Sequence, residues 1–368
     1  MALVQHSLRI AANVVELKFG TTAAHIGWFL GQLGARVTLV DDGIEARLNH
    51  LRSIVDEAPP EPDRLIELGT LSLISGKELL DGDGTTGVAT ERLADADIIL
   101  VTSESGGPEE AERCAQLRGR YPKALIASIT PFGLSGERSG WAANDFLTYH
   151  AGGDAYFLPP GAGSASRAPV VAGDYAPGRM AGWTVLAALL AHARHVKSTG
   201  QGALFEVSCQ EALLDLSRVE FSRAANNGAI ESRLTKAYET GGIMFASDRP
   251  VVVMPLEDHQ WAKLFSLFGD PDWSQSEGFT TRDGRRQHAG EVQARLQAWV
   301  AEHTSEEVYE LGQAAGVPIG VVRTASDILT TRQAAARASN SHELTPIGIE
   351  VATPSLPFLF SSNTEGAL

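Results

Sequence analysis

The first part of the chain repeats a short apolar run, a longer mixed segment and a second apolar run. Asn13–Leu17 and Arg36–Val40 are apolar runs of strand length, and Thr22–Leu33 lies between them with helical length. The pattern predicts a strand, a helix and a second strand. Such a unit is typical of the start of a doubly wound parallel sheet.

The same pattern returns further along the chain. Asp97–Val101 and Ala124–Thr130 are predicted strands, and Glu109–Leu117 between them is a predicted helix. Ala203–Ser208 alternates like another short strand, and Gln210–Arg218 after it has helical character. The sequence therefore predicts an α/β fold built on a doubly wound parallel sheet.

The residues after this region change in character. Residues 223–234 are polar and contain an Asn-Asn-Gly turn, which predicts a linker. Ile243–Ala246 and Val251–Pro255 are short apolar runs separated by a turn, which predicts a hairpin. The amphipathic segments that follow are predicted helices at Asp258–Phe268, Gly290–His303 and Ser305–Ala315.

These patterns predict a large domain that is built from both chain ends and a smaller α+β domain between them. The last stretch, Glu343–Phe360, is predicted to form strands that return to the first domain. The predicted segments are residues 1–222 for the large domain, 223–235 for the linker, 236–330 for the small domain and 331–368 for the C-terminal return.

Composition limits the kinds of partner that we expect. The 368 residues are 43% hydrophobic and 20% charged, and the formal net charge is −15. So acidic a chain disfavours binding to nucleic acid or to an anionic membrane, and an anionic ligand would need a local positive patch. No apolar stretch is long enough to span a bilayer, and the N-terminus lacks the apolar core of a signal peptide. We therefore expect a cytoplasmic enzyme.

The sequence gives little sign of a bound metal or dinucleotide. Cys114 and Cys209 are the two cysteines, and their separation suggests neither a disulfide framework nor a zinc site. Buried free thiols are the expected state of both. No GxGxxG motif lies between Leu17 and Thr22, so a dinucleotide site is poorly supported.

One acidic residue follows an apolar run in a region rich in small side chains. Val170–Gly173 is apolar, Asp174 comes next, and a long segment of predicted helix extends from there to Gly200. An acid in that position often caps a helix or lies in a loop. A catalytic carboxylate is the other interpretation, and the local pattern alone does not choose between the two.

The ordered set of Gly173-Asp174, LAALLAHARHVKSTGQG and EVSCQEALL resembles the signature of the class III coenzyme A transferases. That family, of the CaiB/BaiF type, includes formyl-CoA transferase-like enzymes and is related to the α-methylacyl-CoA racemases. The resemblance implies that Asp174 is the catalytic carboxylate and that a glycine loop, Gly241-Gly242, covers it. It also implies an interlocked homodimer, or a heteromer with a homologous subunit.

The resemblance implies that coenzyme A and acyl-CoA are substrates, and that no cofactor is permanently bound. It places coenzyme contacts at Thr21, Thr102, Ser103, Phe132, Gly133 and Asp145. Residues 102–108 depart from the family, which has an Asn-Phe-x-Pro-Gly loop there, so we expect weak coenzyme binding unless a partner or a displaced Arg supplies the contacts. A family lysine corresponds to Lys77, which we expect to be exposed.

The resemblance favours transfer of CoA between carboxylic acids through an aspartyl anhydride and an aspartyl-CoA thioester. Backbone amides near Gly241-Gly242 or Gly133 would stabilise the oxyanions. An acyl-CoA isomerase or racemase is an alternative, although Asn144 replaces a histidine of the racemases and cannot serve as a second base. His150 is expected to form structural hydrogen bonds. A non-catalytic or partner-dependent relative is a further alternative.

Overall fold

The computed structural model describes residues 10–56, 69–157, 195–196, 198–228, 240–269 and 271–357. Asp174 lies outside the described residues, as does most of the helix that is predicted to follow it. The protein divides into a large unit, Met1–Arg233 with Ala336–Leu368, and a small unit, Leu234–Ala335.

The large unit is built on a sheet of six parallel strands. The strands are β1 Asn13–Leu17, β2 Arg36–Asp41, β3 Glu78–Asp81, β4 Ile98–Thr102, β5 Leu125–Thr130 and β6 Ala203–Ser208. Their order across the sheet is β3-β2-β1-β4-β5-β6. This is the order of a doubly wound sheet, so the predicted fold class is confirmed.

Helices cover both faces of this sheet. The described helices of this unit are α1 Thr21–Gln32, α2 Ile44–Asp56, α3 Gly87–Ala94, α4 Gly107–Arg120, α5 Asp145–Ala151, α6 Cys209–Leu216 and α7 Arg218–Asn227. Leu30 of α1 packs in one core cluster with Val14. Leu93 of α3 and Leu117 of α4 pack in another with Val15. Because successive residues of a strand face opposite sides, α1 lies on one face of the sheet and α3 and α4 lie on the other.

The segment after β6 differs from the prediction of one helix and a linker. Two helices form, α6 and α7, and they are separated at Ser217. Residues 223–227, which were predicted to belong to the linker, are the second half of α7. The helix ends at Gly228, whose φ of 68° is the left-handed conformation that commonly terminates helices.

The small unit contains a three-stranded antiparallel sheet. Its strands are β7 Gly242–Phe245, β8 Pro250–Val253 and β9 Ile319–Val321. The helices of this part of the chain are α8 Asp258–Leu267, α9 Glu277–Thr280, α10 Arg282–Gln287, α11 Ala289–Ala301, α12 Ser305–Ala315, α13 Ala325–Leu329 and α14 Arg332–Arg337. β7 and β8 pair as the predicted hairpin, which is thereby confirmed. Met244 and Val251 pack against Trp261 in the core of this unit.

Near its C-terminal end the chain adds a separate pair of strands to the large unit. β10 Asn340–Leu344 and β11 Glu350–Pro354 are antiparallel. Ile347 and Ile349 of the connecting turn pack against the cluster that contains Leu39. In the described parts of both units, no helix combines the length and the apolar character needed to cross a membrane.

A buried ion pair fastens α1 to the central strand. The Lys77 ammonium donates to Glu16 Oε1 of β1 at 2.5 Å and to the Ala24 carbonyl of α1 at 2.9 Å. The Lys77 and Glu16 side chains are 2% and 0% exposed, so the prediction of a surface lysine was wrong. Burial raises the pKa of Glu16 and lowers that of Lys77, while their mutual attraction opposes both shifts. A Cβ at Gly27 would lie 1.6 Å from Glu16 Oε1, so the pair requires glycine there.

We expect Lys77→Met to destabilise the protein by about 3–5 kcal/mol, because it leaves the Glu16 carboxylate buried without a partner. The double variant Lys77→Met/Glu16→Leu should recover much of that loss, since it removes both charges. Urea unfolding measures the free energy of unfolding of both variants. Lys123→Met on the exposed surface is the control. Equal destabilisation of the single and double variants would show that the two charges are not coupled.

A second ion cluster links β3 to α3. Glu78 accepts two hydrogen bonds from the Arg92 guanidinium, at 2.7 and 2.8 Å, and one from Thr38 at 2.9 Å. These bonds, with that of Arg92 foremost, lower the pKa of Glu78 from 4.5 to about 2. The carboxylate is partly solvated, so its contribution is smaller than that of a buried pair.

Because the folded protein holds the Glu78 pKa below its unfolded value, this carboxylate stabilises the fold at neutral pH. The contribution is lost as the pH falls from about 4.5 towards 2. We expect Glu78→Gln to lower the free energy of unfolding by about 1–2 kcal/mol at pH 7 and to lose less stability across that acid range. Denaturant unfolding at a series of pH values tests this, with exposed Glu137→Gln as the control. Parallel pH profiles for wild type and Glu78→Gln would contradict it.

Candidate functional site

The carboxyl ends of the central strands surround a cavity of about 1050 Å³. β1 lies between β2 and β4, and the helices after β1 and β4 pack on opposite faces of the sheet. Loops diverge where neighbouring strands lead to opposite faces, and ligands of doubly wound proteins bind in the opening between them. We call this opening the crevice; its lining is residues 18–22, 102–104, 129–131, 142–144 and 146–148, with Arg113 and Cys209.

The turn from β1 into α1 forms one side of the crevice. Lys18 has a φ of 67°, which is the left-handed region that residues other than glycine seldom occupy. Its amide donates to the Val40 carbonyl, and the amide of Phe19 donates to Asp41 Oδ2 at 2.7 Å. Asp41 also accepts a hydrogen bond from the amide of Gly43, so the acid at the end of β2 holds this turn together.

The loop after β4 forms the opposite side. A Cβ at Gly20 would lie 2.3 Å from Thr102 Cγ2, so the two sides meet closely and no larger residue fits at Gly20. Thr102 Oγ1 is buried and has no hydrogen-bond partner among the residues described. The Gly106 amide donates to the Ser139 carbonyl at 2.8 Å and does not face the crevice. This loop therefore contains a buried hydroxyl packed against Gly20, and the glycine amide of residue 106 is used within the fold.

The turn after β5 is held internally. The Gly133 amide donates to Thr130 Oγ1 at 2.9 Å, and the Leu134 amide donates to Glu206 Oε1 at 2.6 Å. Gly133 has a φ of 90°, and a Cβ there would lie 2.7 Å from Glu206 Oε1. Both features require glycine. An oxyanion role for the Gly133 amide would need its bond to Thr130 to open first.

Residues of helix α5 and its N-cap line the crevice, and two side chains of this region form hydrogen bonds within the helix. Asn144 is its N-cap and accepts a hydrogen bond from the Leu147 amide at 3.1 Å. His150 Nδ1 lies 2.8 Å from the Phe146 carbonyl, which agrees with the structural role expected of this histidine. The Asn144 side chain is thus engaged in capping α5.

Two cations that the sequence interpretation did not select line the crevice. Lys18 comes from the β1 side and Arg113 comes from α4 on the other face of the sheet. Arg113 forms an ion pair with Glu110 at 3.6 Å and is 42% exposed. Glu110 is mostly buried, and that burial raises its pKa while Arg113 opposes the shift. In sequence Arg113 looks like any charged residue of an amphipathic helix, so no local signal marked it.

The structure brings part of the predicted coenzyme site together. Thr21, Thr102 and Ser103 all line the crevice. Gly133 belongs to the neighbouring turn, as does half-buried Phe132. Asp145 is the first residue of α5, next to lining residues on both sides. Coenzyme contacts by these six residues stay predictions.

The glycine pair Gly241-Gly242 lies in the small unit at the start of β7. Both residues have positive φ, 89° and 96°, which favours glycine at these positions. The Gly241 amide donates to Gln293 Oε1 of α11 at 3.1 Å. A catalytic role for this pair stays a prediction, as does the role of Asp174.

Both cysteines are buried free thiols, as expected. Cys114 lies in α4 beside Glu110, and burial raises the pKa of its thiol. Cys209 is the first residue of α6 and lines the crevice. Across the described ranges, no three His, Cys, Asp or Glu side chains are grouped as metal ligands would be.

Two known proteins similar to this chain are named as CoA-transferases. The chain is 28% identical over 285 residues to a protein named probable CoA-transferase Rv1866 of Mycobacterium tuberculosis, an alignment that covers 74% of this chain and 35% of that protein. It is 25% identical over 168 residues to a succinyl-CoA–D-citramalate CoA-transferase of Chloroflexus aurantiacus, covering 43% of this chain and 40% of that protein. The alignments therefore span well under half the length of these relatives.

A crystal structure of a CaiB/BaiF family protein from Brucella suis has the same fold, with a TM-score of 0.75 and 19% sequence identity over 97% of this chain and 93% of that one. The model of the family described as CoA-transferase family III matches residues 12–367, which is nearly the whole chain. The resemblance that the sequence showed around Asp174 is thereby confirmed at the level of the family. The chain belongs to CoA-transferase family III.

Proposed function

We propose that this chain is a coenzyme A transferase that moves CoA from an acyl-CoA donor to a free carboxylic acid. The observation that carries the proposal is the family match across residues 12–367, which includes the Gly173-Asp174 pair. The crevice supports it, because its volume suits a ligand of more than fragment size and it lies where doubly wound proteins bind ligands.

Asp174 would carry the chemistry as a nucleophile. Its carboxylate attacks the donor thioester carbonyl and expels the CoA thiolate, which leaves an acyl-aspartyl anhydride. The thiolate then attacks the aspartyl carbonyl carbon and releases the donor as a free carboxylate, which leaves an aspartyl-CoA thioester. The acceptor carboxylate attacks this thioester, and the returning thiolate takes the acceptor acyl group and frees Asp174. No proton is transferred in any step, so the cycle needs no general base.

Each attack creates an oxyanion that hydrogen-bond donors must stabilise. We propose the amides of Gly241, Gly242 or Gly133 as these donors, as the family resemblance implies. The amides of Gly241 and Gly133 already donate to Gln293 and Thr130. Their use in catalysis therefore requires a rearrangement when substrate binds.

The coenzyme would bind at Thr21, Thr102, Ser103 and the neighbouring turn as a substrate, without a permanently bound cofactor. We propose that the chain acts as a homodimer or together with a homologous subunit, in the cytoplasm. The Chloroflexus relative is named for succinyl-CoA and D-citramalate, both of which carry carboxylates. Small mono- and dicarboxylic acids are accordingly the first acceptors to test.

An acyl-CoA racemase is disfavoured by the geometry of Asn144. Racemisation needs a base on each face of the α-carbon. Asparagine does not titrate in this range, and Asn144 accepts the capping bond of α5. We therefore expect no exchange of the α-proton of a 2-methylacyl-CoA in deuterated water.

We expect Asp174→Ala to abolish transfer while the protein keeps a near-normal melting temperature. If Asp174 only capped a helix, its loss would lower stability by about 0.5–2 kcal/mol and leave the chemistry intact. Asp174→Asn keeps the size of the side chain and removes the nucleophilic oxygen, so it should be equally inactive. Mass spectrometry of acyl-CoA and acid pairs after incubation measures transfer, and exposed Asp215→Ala is the control.

Substantial transfer by Asp174→Ala would show that this aspartate is not the nucleophile. Rapid deuterium uptake at the α-carbon that depends on Asp174 would replace the transferase proposal with an isomerase. Loss of transfer in Asp215→Ala as well would point to damaged folding rather than to lost chemistry.

A further inference from the structure

The lining of the crevice divides into a charged part and an uncharged part. Its charged residues are Lys18, Glu104 and Arg113, and all three follow β1 or β4 in the chain. The lining that follows from β5 and β6 is residues 129–131, 142–144 and 146–148 with Cys209, and none of these residues is charged. We call this part the β5 side of the crevice. Because β5 and β6 are the last two strands of the sheet, the β5 side lies towards one edge of it.

The polar side chains of the β5 side are already bonded within the fold. Thr130 Oγ1 accepts a hydrogen bond from the Gly133 amide at 2.9 Å. The Asn144 side chain accepts the capping bond of α5, and Thr148 Oγ1 donates to the Asn144 carbonyl at 2.8 Å. The surface that remains for a ligand on the β5 side is therefore mainly apolar.

Two large apolar side chains of α5 are exposed on the β5 side. Phe146 is 38% exposed and Leu147 is 52% exposed, and both line the crevice. Trp141, which precedes the lining residues 142–144, is also exposed. Single exposed apolar side chains are common on proteins, but a group of them beside a cavity marks a binding surface.

Neighbouring contacts hold these side chains in place. The Phe146 ring packs on the His150 ring, with 4.2 Å between their centroids. The Gln210 side chain of α6 donates to the Ala151 carbonyl at the end of α5 at 2.9 Å. A Cβ at Gly152 would lie 2.5 Å from the Leu213 Cβ, so the two helices meet closely. The apolar surface is thus formed before a ligand binds, which lowers the entropic cost of binding.

We propose that the β5 side binds the acyl chain of the substrate, and that Phe146 and Leu147 make the protein selective for apolar monocarboxylic acyl groups. The inference rests on the proposed function, which places the coenzyme at Thr21, Thr102 and Ser103 after β1 and β4. A second carboxylate at the end of the acyl chain would lose water on the β5 side and gain no cation from the residues that line it. Of the mono- and dicarboxylic acids considered above, the structure therefore favours the monocarboxylic ones.

The test is calorimetric titration of the full chain with three thioethers of coenzyme A. S-ethyl-CoA and S-hexyl-CoA differ in chain length, and S-carboxypentyl-CoA adds a terminal carboxylate to a chain of similar length. Because each buried CH₂ group strengthens binding by about fourfold, we expect S-hexyl-CoA to bind at least about tenfold more tightly than S-ethyl-CoA. S-carboxypentyl-CoA should bind at least about tenfold more weakly than S-hexyl-CoA, since its carboxylate is desolvated without a partner.

Three variants of α5 test the two side chains. Phe146→Ser and Leu147→Ser each remove apolar contact area, so each should reduce the preference for S-hexyl-CoA over S-ethyl-CoA by about threefold or more. Leu147→Arg places a cation on the β5 side and should raise the affinity for S-carboxypentyl-CoA relative to S-hexyl-CoA by about tenfold. The control is Leu344→Ser in β10, which changes an exposed leucine that does not line the crevice and should keep the wild-type preferences.

Equal binding of S-ethyl-CoA and S-hexyl-CoA by the wild-type chain overturns the inference, as does an unchanged preference in both serine variants. Failure to bind S-hexyl-CoA at millimolar concentration overturns it too. Sedimentation velocity tests whether another subunit covers this surface instead. Serine variants that change the oligomeric state and keep the chain-length preference would show a subunit contact, and the inference would be wrong.

The thioethers have no acyl carbonyl, so they bind without reacting and the result does not depend on Asp174. The transfer assay decides the proposed function separately. Transfer without any chain-length preference would remove this inference and leave the proposed function standing. A preference for S-hexyl-CoA without any transfer would do the reverse.

Discussion

In the parallel sheet of the large unit, β1 pairs with β2 on one side and with β4 on the other. The chain leaves β1 towards one face of the sheet and leaves β4 towards the opposite face. The loops at their carboxyl ends are thereby forced apart, and the crevice is the space that results. The buried Glu16–Lys77 pair fixes the position of α1 over the sheet, and Gly27 makes room for it. The N-terminus of that helix is consequently held at the edge of the crevice.

The proposed reaction brings several negative groups into this one place. The Asp174 carboxylate, the phosphates of the coenzyme and the acceptor carboxylate must approach one another in an acidic protein. Mutual repulsion would disfavour that approach unless local cations offset it. Lys18, in the turn after β1, and Arg113, in α4, are two cations that line the crevice.

The sequence predicted those features that depend on short-range patterns. β1 and β6 have the predicted bounds, and the β7–β8 hairpin forms as expected, because alternation and turns are local properties. The burial of Lys77 was missed, since its partner Glu16 is 61 residues away. Helix α7 was missed because none of its residues is buried, so its polar sequence was interpreted as a linker.

The candidate site was predictable only in part, because it is formed by residues that are far apart in the sequence. Family motifs selected Thr21, Thr102 and Ser103, and the fold brings these three into one crevice. Lys18 and Arg113 follow no local motif, and they become notable only when β1 and α4 are placed beside the same opening. The motif around Asp174 identified the family, and the family match extends across nearly the whole chain.

The central claim is that the carboxylate of Asp174 becomes covalently acylated, and chemical trapping tests it most directly. Hydroxylamine added during turnover attacks an aspartyl anhydride or thioester and leaves a stable hydroxamate on that side chain. The protein is then digested and its peptides are mapped by mass spectrometry. The account predicts a hydroxamate on the peptide that contains Asp174, formed only when an active acyl-CoA is present. A hydroxamate on another acid, such as Asp145, or turnover that leaves Asp174 unmodified would contradict it.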